Sequence, residues 1–407
     1  MMIATYTYAQ EPEADCRPAD ISPGYDLEVL NNRQRFWMLT RAKLHIFLLA
    51  LKTYGRVKTA VKVCMELYRY KHHNLTLGKT SSKLTRVGNK YYFHLFVPAY
   101  PSQVFDEYVK GEFNRIIPVK KKADKLSFLF LAITKKCPLM CEHCIEWDNL
   151  NKRESLELKD LKAIVKKFQD DGIAQFHLSG GEPLTRIKDL SELVKTADRS
   201  SEFYVLTSGF NFTAENAAIL KRAGLTGVVI SLDHFDEEKH NVFRGFNNSF
   251  AQAKAAIVNA QRQNLVVALT ICVTRAFISW DNLLQYAEFA RAQNVVFIQI
   301  LEPQAVGHYK GQDVFLSKND LELLEKFYRM MNTDPRYKDY PIVVYHGYHQ
   351  RQMGCSFGGT RGFYIDSEGF VNTCPFCHTK NFNIKDMLEA EYSLDDKVRS
   401  LTCPSAC

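Results

Sequence analysis

From Leu126 to Leu301 short apolar runs alternate with amphipathic segments, and few folds accommodate that alternation. A strand buried on both faces of a parallel sheet reads as a near-continuous apolar run, and a crossover helix must carry the chain to the next strand. The expected strands are Ser127–Thr134, Gln175–Ser179, Phe203–Thr207, Gly227–Leu232, Val266–Val273 and Val295–Leu301. Helices fit between them at Leu158–Asp170, Ile187–Ala197, Thr213–Ala223 with Gly224 as a stop, Phe250–Gln263 and Trp280–Gln293. The fold class is α/β, a parallel sheet built from repeated βα units.

The flanks read differently. Residues 1–32 form an acidic tail with Glu11, Glu13, Asp15 and Asp20, broken by Pro12, Pro18, Pro23 and Gly24, and are expected to be mobile. Residues 33–125 form a basic helical and β extension. Leu44, Phe47, Leu48 and Leu51, then Val57, Val61, Cys64, Met65 and Tyr68, fall at helical spacing, with Gly55 marking a break. Tyr91–Val97 has the composition of a strand, ended by Pro98 and Pro101. Arg33 to His73 holds ten Lys and Arg residues against Glu66 alone, which accounts for the net charge of +8. Such a segment meets a membrane surface or an acidic partner, or its stripe simply packs on the next domain. No recognition motif interleaves the basic residues, so nucleic acid is not expected.

The longest apolar stretch, Ile46 to Leu51, is far too short for a transmembrane helix. The N-terminus lacks the basic start and apolar centre of a secretory signal, so a cytoplasmic protein is expected. After Pro303 the alternation fades, and Ser317 with Asp320 caps a helix running to Met331. Residues 126–312 are read as the core and 313–407, dense in Gly and Cys from Pro341 on, as a small separate domain.

Eleven cysteines, several at two- and three-residue spacings, point to metal chemistry, because a reducing compartment disfavours disulfides. Cys137, Cys141 and Cys144 follow the first strand of the repeat, at the end where βα folds place active sites. Three thiolates each hold one iron of a four-iron cluster and leave the fourth iron open to a ligand. A structural zinc site is the alternative, but it closes its shell with four ligands, and His143 is poorly placed as the fourth.

The Cys-x3-Cys-x2-Cys loop, followed after the second strand by Gly180-Gly181-Glu182-Pro183, resembles the radical S-adenosylmethionine (SAM) superfamily. The resemblance covers roughly Leu126 to Pro303 and implies a partial (β/α)6 TIM-like barrel. It further implies a [4Fe-4S] cluster whose open iron binds the amino and carboxylate groups of SAM. An electron donor such as flavodoxin or ferredoxin then drives reductive cleavage, and the 5′-deoxyadenosyl radical abstracts hydrogen from a substrate. Gly180, Gly181, Glu182 and Pro183 are assigned to the SAM amine, Ser231 and Asp233 to the ribose, and His143 to the adenine, by that resemblance. Thr207-Ser208-Gly209 resembles a turn of the subgroup with auxiliary clusters, Ser standing for Asn. Arg244 resembles an arginine of the same subgroup, with either a functional carboxylate partner or a surface ion pair. Gln299 and Glu302 face the expected mouth, toward adenine or substrate.

Cys355, thirteen residues, Gly369, four residues and Cys374 resemble the start of a SPASM or twitch extension, with Phe363–Asp366 and Gly369–Asn372 forming a hairpin. No third cysteine follows Cys377 at the spacing of a full two-cluster pattern. Cys355, Cys374, Cys377 and Cys403 are the expected ligands of one auxiliary cluster, with Cys407 as the alternative to Cys403; four cysteines also suit zinc. Cys64 and Cys272 read as core residues, and Cys16 is unassigned. The expected activity is that of a radical SAM oxidoreductase or maturase acting on a peptide or on a small or lipid-like metabolite. The rival is a non-catalytic iron–sulfur or zinc protein on the same scaffold, which would need neither the triad nor the Gly-Gly-Glu-Pro turn.

Overall fold

In the computed structural model, which describes residues 25–78, 83–119, 126–355, 357 and 361–389, the chain opens with β1 (Leu27–Val29) and a helical hairpin, α1 (Asn32–Tyr54) and α2 (Val57–Gly78). Asn31 caps α1 by accepting from the Gln34 amide at 3.0 Å, and Gly55, left-handed at φ 65°, ends it at the expected break. Then come β2 (Thr85–Val87), β3 (Lys90–Tyr92) and α3 (Gln103–Ile116), with β1, β2 and β3 in one small antiparallel sheet. Two expectations are corrected here. The acidic tail is not mobile throughout, since Tyr25 is buried and β1 pairs with β2, while residues 1–24 lie outside the described residues. The strand expected at Tyr91–Val97 stops at Tyr92 because the chain turns to bury Tyr92, Leu95 and Ala99 against the main sheet.

The repeat runs β4 (Phe128–Ala132), α4 (Leu158–Asp170), β5 (Gln175–Ser179), α5 (Ile187–Thr196), β6 (Glu202–Thr207), α6 (Ala214–Ala223), β7 (Gly227–Ser231), α7 (Glu237–Arg244), α8 (Ser249–Arg262), β8 (Val266–Cys272), α9 (Trp280–Ala292) and β9 (Phe297–Leu301). These are the six expected strands, all parallel and in sequence order. α10 (Lys318–Thr333), capped by Ser317 as expected, leads to β10 (Ile342–Tyr345), which adds a seventh parallel strand beside β9. After α11 (His346–Met353), β11 (Gly362–Ile365) pairs in parallel with β4 at the opposite edge, and β12 (Phe370–Asn372), β13 (Phe382–Asn383) and α12 (Ile384–Glu389) follow. The result is an α/β partial barrel, an open and mostly parallel sheet with its helices on one face.

Strand alternation divides the sheet. Leu129, Leu131, Phe176, Leu178, Val205 and Val228 point outward into the helix layer. The opposite, concave face changes along the strands. Toward their N-terminal ends Tyr204, Val229, Val266 and Phe297 pack on Tyr25, Tyr92, Leu95 and Ala99. Toward their C-terminal ends Ser231, Thr270 and Gln299 sit side by side in register and remain open to a cavity.

α1, α2 and α3 pack on one another through Met38, Ala42, Ala50, Ala60, Val63 and Phe113. Most of the apolar stripe read from the sequence is not in that interface: Leu44, Leu48, Val57, Val61, Met65 and Tyr68 are exposed. Among the described residues no helix is long and apolar enough to cross a membrane.

Candidate functional site

The cysteine loop leaves β4 and is held against the turn after β5 by backbone bonds. The amide of Gly181 donates to Thr134 O (2.8 Å) and that of Glu182 to Lys136 O (2.7 Å). A Cβ on Gly181 would stand 2.3 Å from Lys136 O, and one on Gly180, which has φ 127°, 2.4 Å from Thr134 O. The two glycines therefore bring two backbones together, and both also line the cavity. Asn151 clasps Cys137 from both sides, accepting from its amide at 3.1 Å and donating to its carbonyl at 3.0 Å.

The far side of the loop rests on α7, where Phe243 O and Arg244 O accept from the amides of Glu142 (3.0 Å) and Met140 (3.1 Å). His308 donates its amide to Cys144 O at 2.9 Å, places Nδ1 3.0 Å from Cys141 O, and stacks on Trp147 with 3.7 Å between ring centroids. Neither α7 nor His308 was singled out from the sequence as a support. For α7 the signal existed: Asp236 caps it by accepting from Lys239 N, and Gly245 ends it.

Cys137, Cys141 and Cys144 line one cavity of about 1520 Å³ together with Gly180, Gly181, Ser231, Asp233 and Arg244. Burial pushes the Cys137 thiol up to about 12 and raises Cys141 and Cys144 as well, with repulsion from neighbouring cysteines adding to it at Cys137 and Cys144. The Arg244 guanidinium, 3.6 Å from Cys141 Sγ, acts in the opposite direction. Arg244 also forms a buried 2.5 Å ion pair with Asp233. Burial would raise the Asp233 carboxyl, yet this pair holds it below the usual range. Asp233 Oδ1 accepts from the Cys272 amide at 2.9 Å, and its own amide donates to His240 Nδ1.

Glu182 is buried and uses all of its acceptor positions inside the protein. It takes the amides of Leu184 (3.1 Å) and Ser208 (2.8 Å) and the hydroxyls of Thr207 (2.8 Å) and Ser208 (2.6 Å). Burial raises its pKa against those four bonds. Thr207-Ser208 thus has a contact, which is Glu182. Pro183 is buried at the start of a short 3-10 turn, Pro183–Arg186. His143 stacks on Phe243 at 4.9 Å, and burial lowers its pKa to about 4. Glu302 is engaged by Tyr345 Oη (2.6 Å) and Arg351 (2.8 Å), whereas Gln299 stays on the concave wall. Cys64 and Cys272, read as core, both line this cavity, at different ends.

The donor set fits a four-iron cluster with bound SAM. His143 Nδ1, Thr270 Oγ1 and Arg244 Nε are buried at the cavity without a hydrogen-bond partner in the protein, the condition of groups that await a polar ligand.

Cys374 and Cys377 are buried in one cluster with Phe128, Phe130, Phe357 and Tyr364, and Cys355 packs against it. The expected hairpin presents them: Gly369 is left-handed at φ 89°, and Asp366 Oδ1 accepts from Phe370 N at 2.9 Å. Tyr364 and Ser367 both donate to Glu146, two residues after Cys144, so this piece is tied to the first cysteine loop. Cys16, Cys403 and Cys407 lie outside the described residues.

Residues 131–290 match the family described as the radical SAM superfamily. GTP 3′,8-cyclase 1 of Mycobacterium tuberculosis is 26% identical over 292 residues, 67% of this chain and 80% of the relative. GTP 3′,8-cyclase of Campylobacter jejuni is 29% identical over 217 residues, 50% of this chain and 67% of the relative. Among solved structures, Streptococcus suis SuiB bound to the precursor peptide SuiA superposes with a TM-score of 0.52 at 14% identity, covering 87% of this chain and 83% of that one. Native anSMEcpe with bound AdoMet gives 0.50 at 17% identity, covering 67% of this chain and 83% of that one. With the Cys137–Cys144 loop and the Gly180–Pro183 turn on consecutive strands of such a sheet, this chain carries a radical SAM domain, and the family implies SAM and a [4Fe-4S] cluster.

Proposed function

We propose that the protein is a radical SAM enzyme that acts on an apolar substrate in this cavity, with a second iron–sulfur cluster in a SPASM- or twitch-like C-terminal piece. The observation that carries the reading is the convergence of the three thiols of Cys137, Cys141 and Cys144 with orphaned polar atoms on one cavity wall. When bound, the first cluster and SAM supply a 5′-deoxyadenosyl radical that takes hydrogen from the substrate. Cys137, Cys141 and Cys144 would hold that cluster. Gly180 and Gly181, with Ser231, Asp233 and His143, would bind SAM on the cavity wall, and Arg244 would orient Asp233 and face Cys141. Glu182 acts as a positioning residue, locking the β5 and β6 loops together through Thr207 and Ser208. Backbone bonds from the loop to α7 and to the 307–309 turn hold the three cysteines in place.

Cys355, Cys374 and Cys377, with Cys403 or Cys407, would hold the second cluster, which would supply an electron acceptor or a site that positions the substrate. The bonds from Tyr364 and Ser367 to Glu146 would hold that group beside the first cysteine loop. A flavodoxin or ferredoxin would be the reductant.

The relatives' name supplies a second reading, a nucleoside triphosphate cyclase. A triphosphate needs several cations, and near the cysteines Arg244 is paired with Asp233, Arg351 with Glu302, and Arg361 with Glu112, while Arg35, Lys43 and Arg69 line the cavity only on the helical hairpin. Phe96, Phe128, Phe130 and Phe357 dominate the wall between the two cysteine groups, which favours an apolar substrate. Anaerobic reduction with SAM should release 5′-deoxyadenosine, and added GTP should not accelerate it. Absence of 5′-deoxyadenosine from cluster-loaded protein overturns the enzyme reading, and acceleration by GTP replaces it with the cyclase.

A further inference from the structure

The cavity that holds the cysteine triad does not end in the sheet. It runs past Phe96 and Phe93 to the helical hairpin, where its wall is Leu39, Ile46, Phe47, Val61, Met65 and Tyr68, with Lys43 and Arg69 beside them. The hairpin is also where the molecule exposes apolar surface. Eight of the twelve exposed large hydrophobic side chains among the described residues lie on α1 and α2: Phe36, Trp37, Leu44, Leu48, Val57, Val61, Met65 and Tyr68. They form stripes. Trp37, Leu44 and Leu48 repeat on α1, and Val57, Val61, Met65 and Tyr68 recur every third or fourth position on α2.

A stripe of this size facing solvent marks an interaction surface. Its flanks identify the partner. From Arg33 to Arg69 there are nine Lys and Arg residues and one carboxylate, Glu66. An apolar face framed by cations, with Trp37 and Tyr68 exposed and Lys43 Nζ lying 5.8 Å from the Tyr68 ring centroid, has the composition of an element that lies in the interface of an anionic bilayer. The hairpin is not a span, since no described helix is long and apolar enough. Val61, Met65 and Tyr68 belong at once to the exposed stripe and to the cavity wall. The opening of the cavity therefore faces whatever the stripe meets.

We propose that the α1–α2 hairpin docks the protein on anionic phospholipid membrane and that the cavity admits the apolar chain of a membrane lipid between these helices toward the cysteine triad. The second half rests on the enzyme reading above; the docking itself does not.

The test uses anaerobically purified full-length protein without reductant, so it reports on docking whether or not SAM is cleaved. Vesicles of phosphatidylcholine alone are compared with vesicles containing phosphatidylglycerol, each also prepared with brominated acyl chains. The protein should co-sediment with the anionic vesicles only, and bromine should quench the tryptophan emission that Trp37 supplies. Trp37→Phe should remove the quenched component and leave Trp147 and Trp280 unquenched. Lys58→Ser with Lys62→Ser, both at exposed positions, should weaken sedimentation about tenfold or more. For the cavity, short-chain phosphatidylglycerol below its micelle concentration should bind one to one by native mass spectrometry. Val61→Trp, which fills the opening, should weaken that binding about tenfold while vesicle binding persists. Failure to bind anionic vesicles overturns the proposal, as does binding without Trp37 quenching. A dimer that shields Trp37 from an aqueous quencher assigns the stripe to a second copy of the chain and overturns it too. Vesicle binding with no uptake of the short-chain lipid overturns the cavity half alone.

Discussion

One concave surface carries two linings. At the N-terminal ends of the strands Tyr204, Val229, Val266 and Phe297 are sealed beneath Tyr25, Tyr92, Leu95 and Ala99, and His177 is stacked between Phe130 (4.7 Å) and Tyr204 (5.3 Å). At the C-terminal ends the same strands present Ser231, Thr270, Cys272 and Gln299 to the cavity, with Asp233, Arg244 and the three cysteines above them. The difference lies in what covers each end. Tyr25 and residues 83–100 close the first with a mainly apolar cover. The second is roofed only by loops whose polar groups are partly left without partners inside the protein. Stability should therefore reside in the floor and chemistry in the mouth, and substitutions at each level test that division.

The largest effect belongs to the mouth. Replacing Cys137, Cys141 and Cys144 together with Ala should reduce 5′-deoxyadenosine formation to background and remove about half of roughly eight irons per chain, two four-iron clusters, while the far-ultraviolet circular dichroism stays unchanged. Undiminished SAM cleavage in this variant would refute the assignment of the triad.

The second cysteine group should behave differently although it shares the roof. Changing Cys355 and Cys374 to Ala should remove the other half of the iron and abolish the coupled product, yet 5′-deoxyadenosine should still form. Zinc instead of iron at these positions, after purification with ample iron and sulfide, would make the C-terminal piece a structural cap.

Next comes Arg244→Gln, which leaves Asp233 buried without its cation. Unfolding in urea should show a loss of about 3–5 kcal/mol, the usual penalty for breaking a buried pair from one side. Iron loading should fall as well, because the Arg244 side chain faces Cys141. A loss below about 1 kcal/mol would mean that solvent reaches this part of the mouth.

The smallest effect belongs to the floor and depends on pH. Burial lowers the His177 pKa to about 3, and Nε2 has no partner in the protein. A histidine with a lowered folded pKa contributes stability above its unfolded value near 6.5, and that contribution is lost as pH falls from there toward the folded value. At pH 5 the loss reaches about 2 kcal/mol, since there only the unfolded chain binds the proton. His177→Phe should therefore match the parent at pH 7.5 and exceed it by about that amount at pH 5 in urea unfolding. An equal difference at both pH values would show that His177 does not remain neutral in the folded protein.

The repeat was legible because its signals are local. The apolar runs at Gln175–Ser179 and Gly227–Ser231 and the helix Leu158–Asp170 fall where periodicity places them, and Gly224 ends α6 in the left-handed region. The triad and the Gly180–Pro183 turn are short contiguous motifs. What escaped is nonlocal. Tyr91–Val97 has strand composition, but its aromatic side chains pack against the sheet floor, and that attraction bends the chain. The stripe of α1 and α2 has the spacing of a packing face. Which face is buried depends on the small residues Ala42, Ala50 and Ala60, which let the helices approach each other on the other side.

By itself the sequence determined the α/β repeat, the clustered thiols and the basic amphipathic hairpin, because periodicity, spacing and charge are properties of neighbouring residues. Only the tertiary structure decided that Glu182 is committed to Thr207 and Ser208, that β10 and β11 join opposite edges of one sheet, and that the triad and the hairpin share a cavity. Those facts join residues far apart in the chain. Such contacts follow from how the whole molecule divides its apolar surface between core and solvent, which no window of sequence contains.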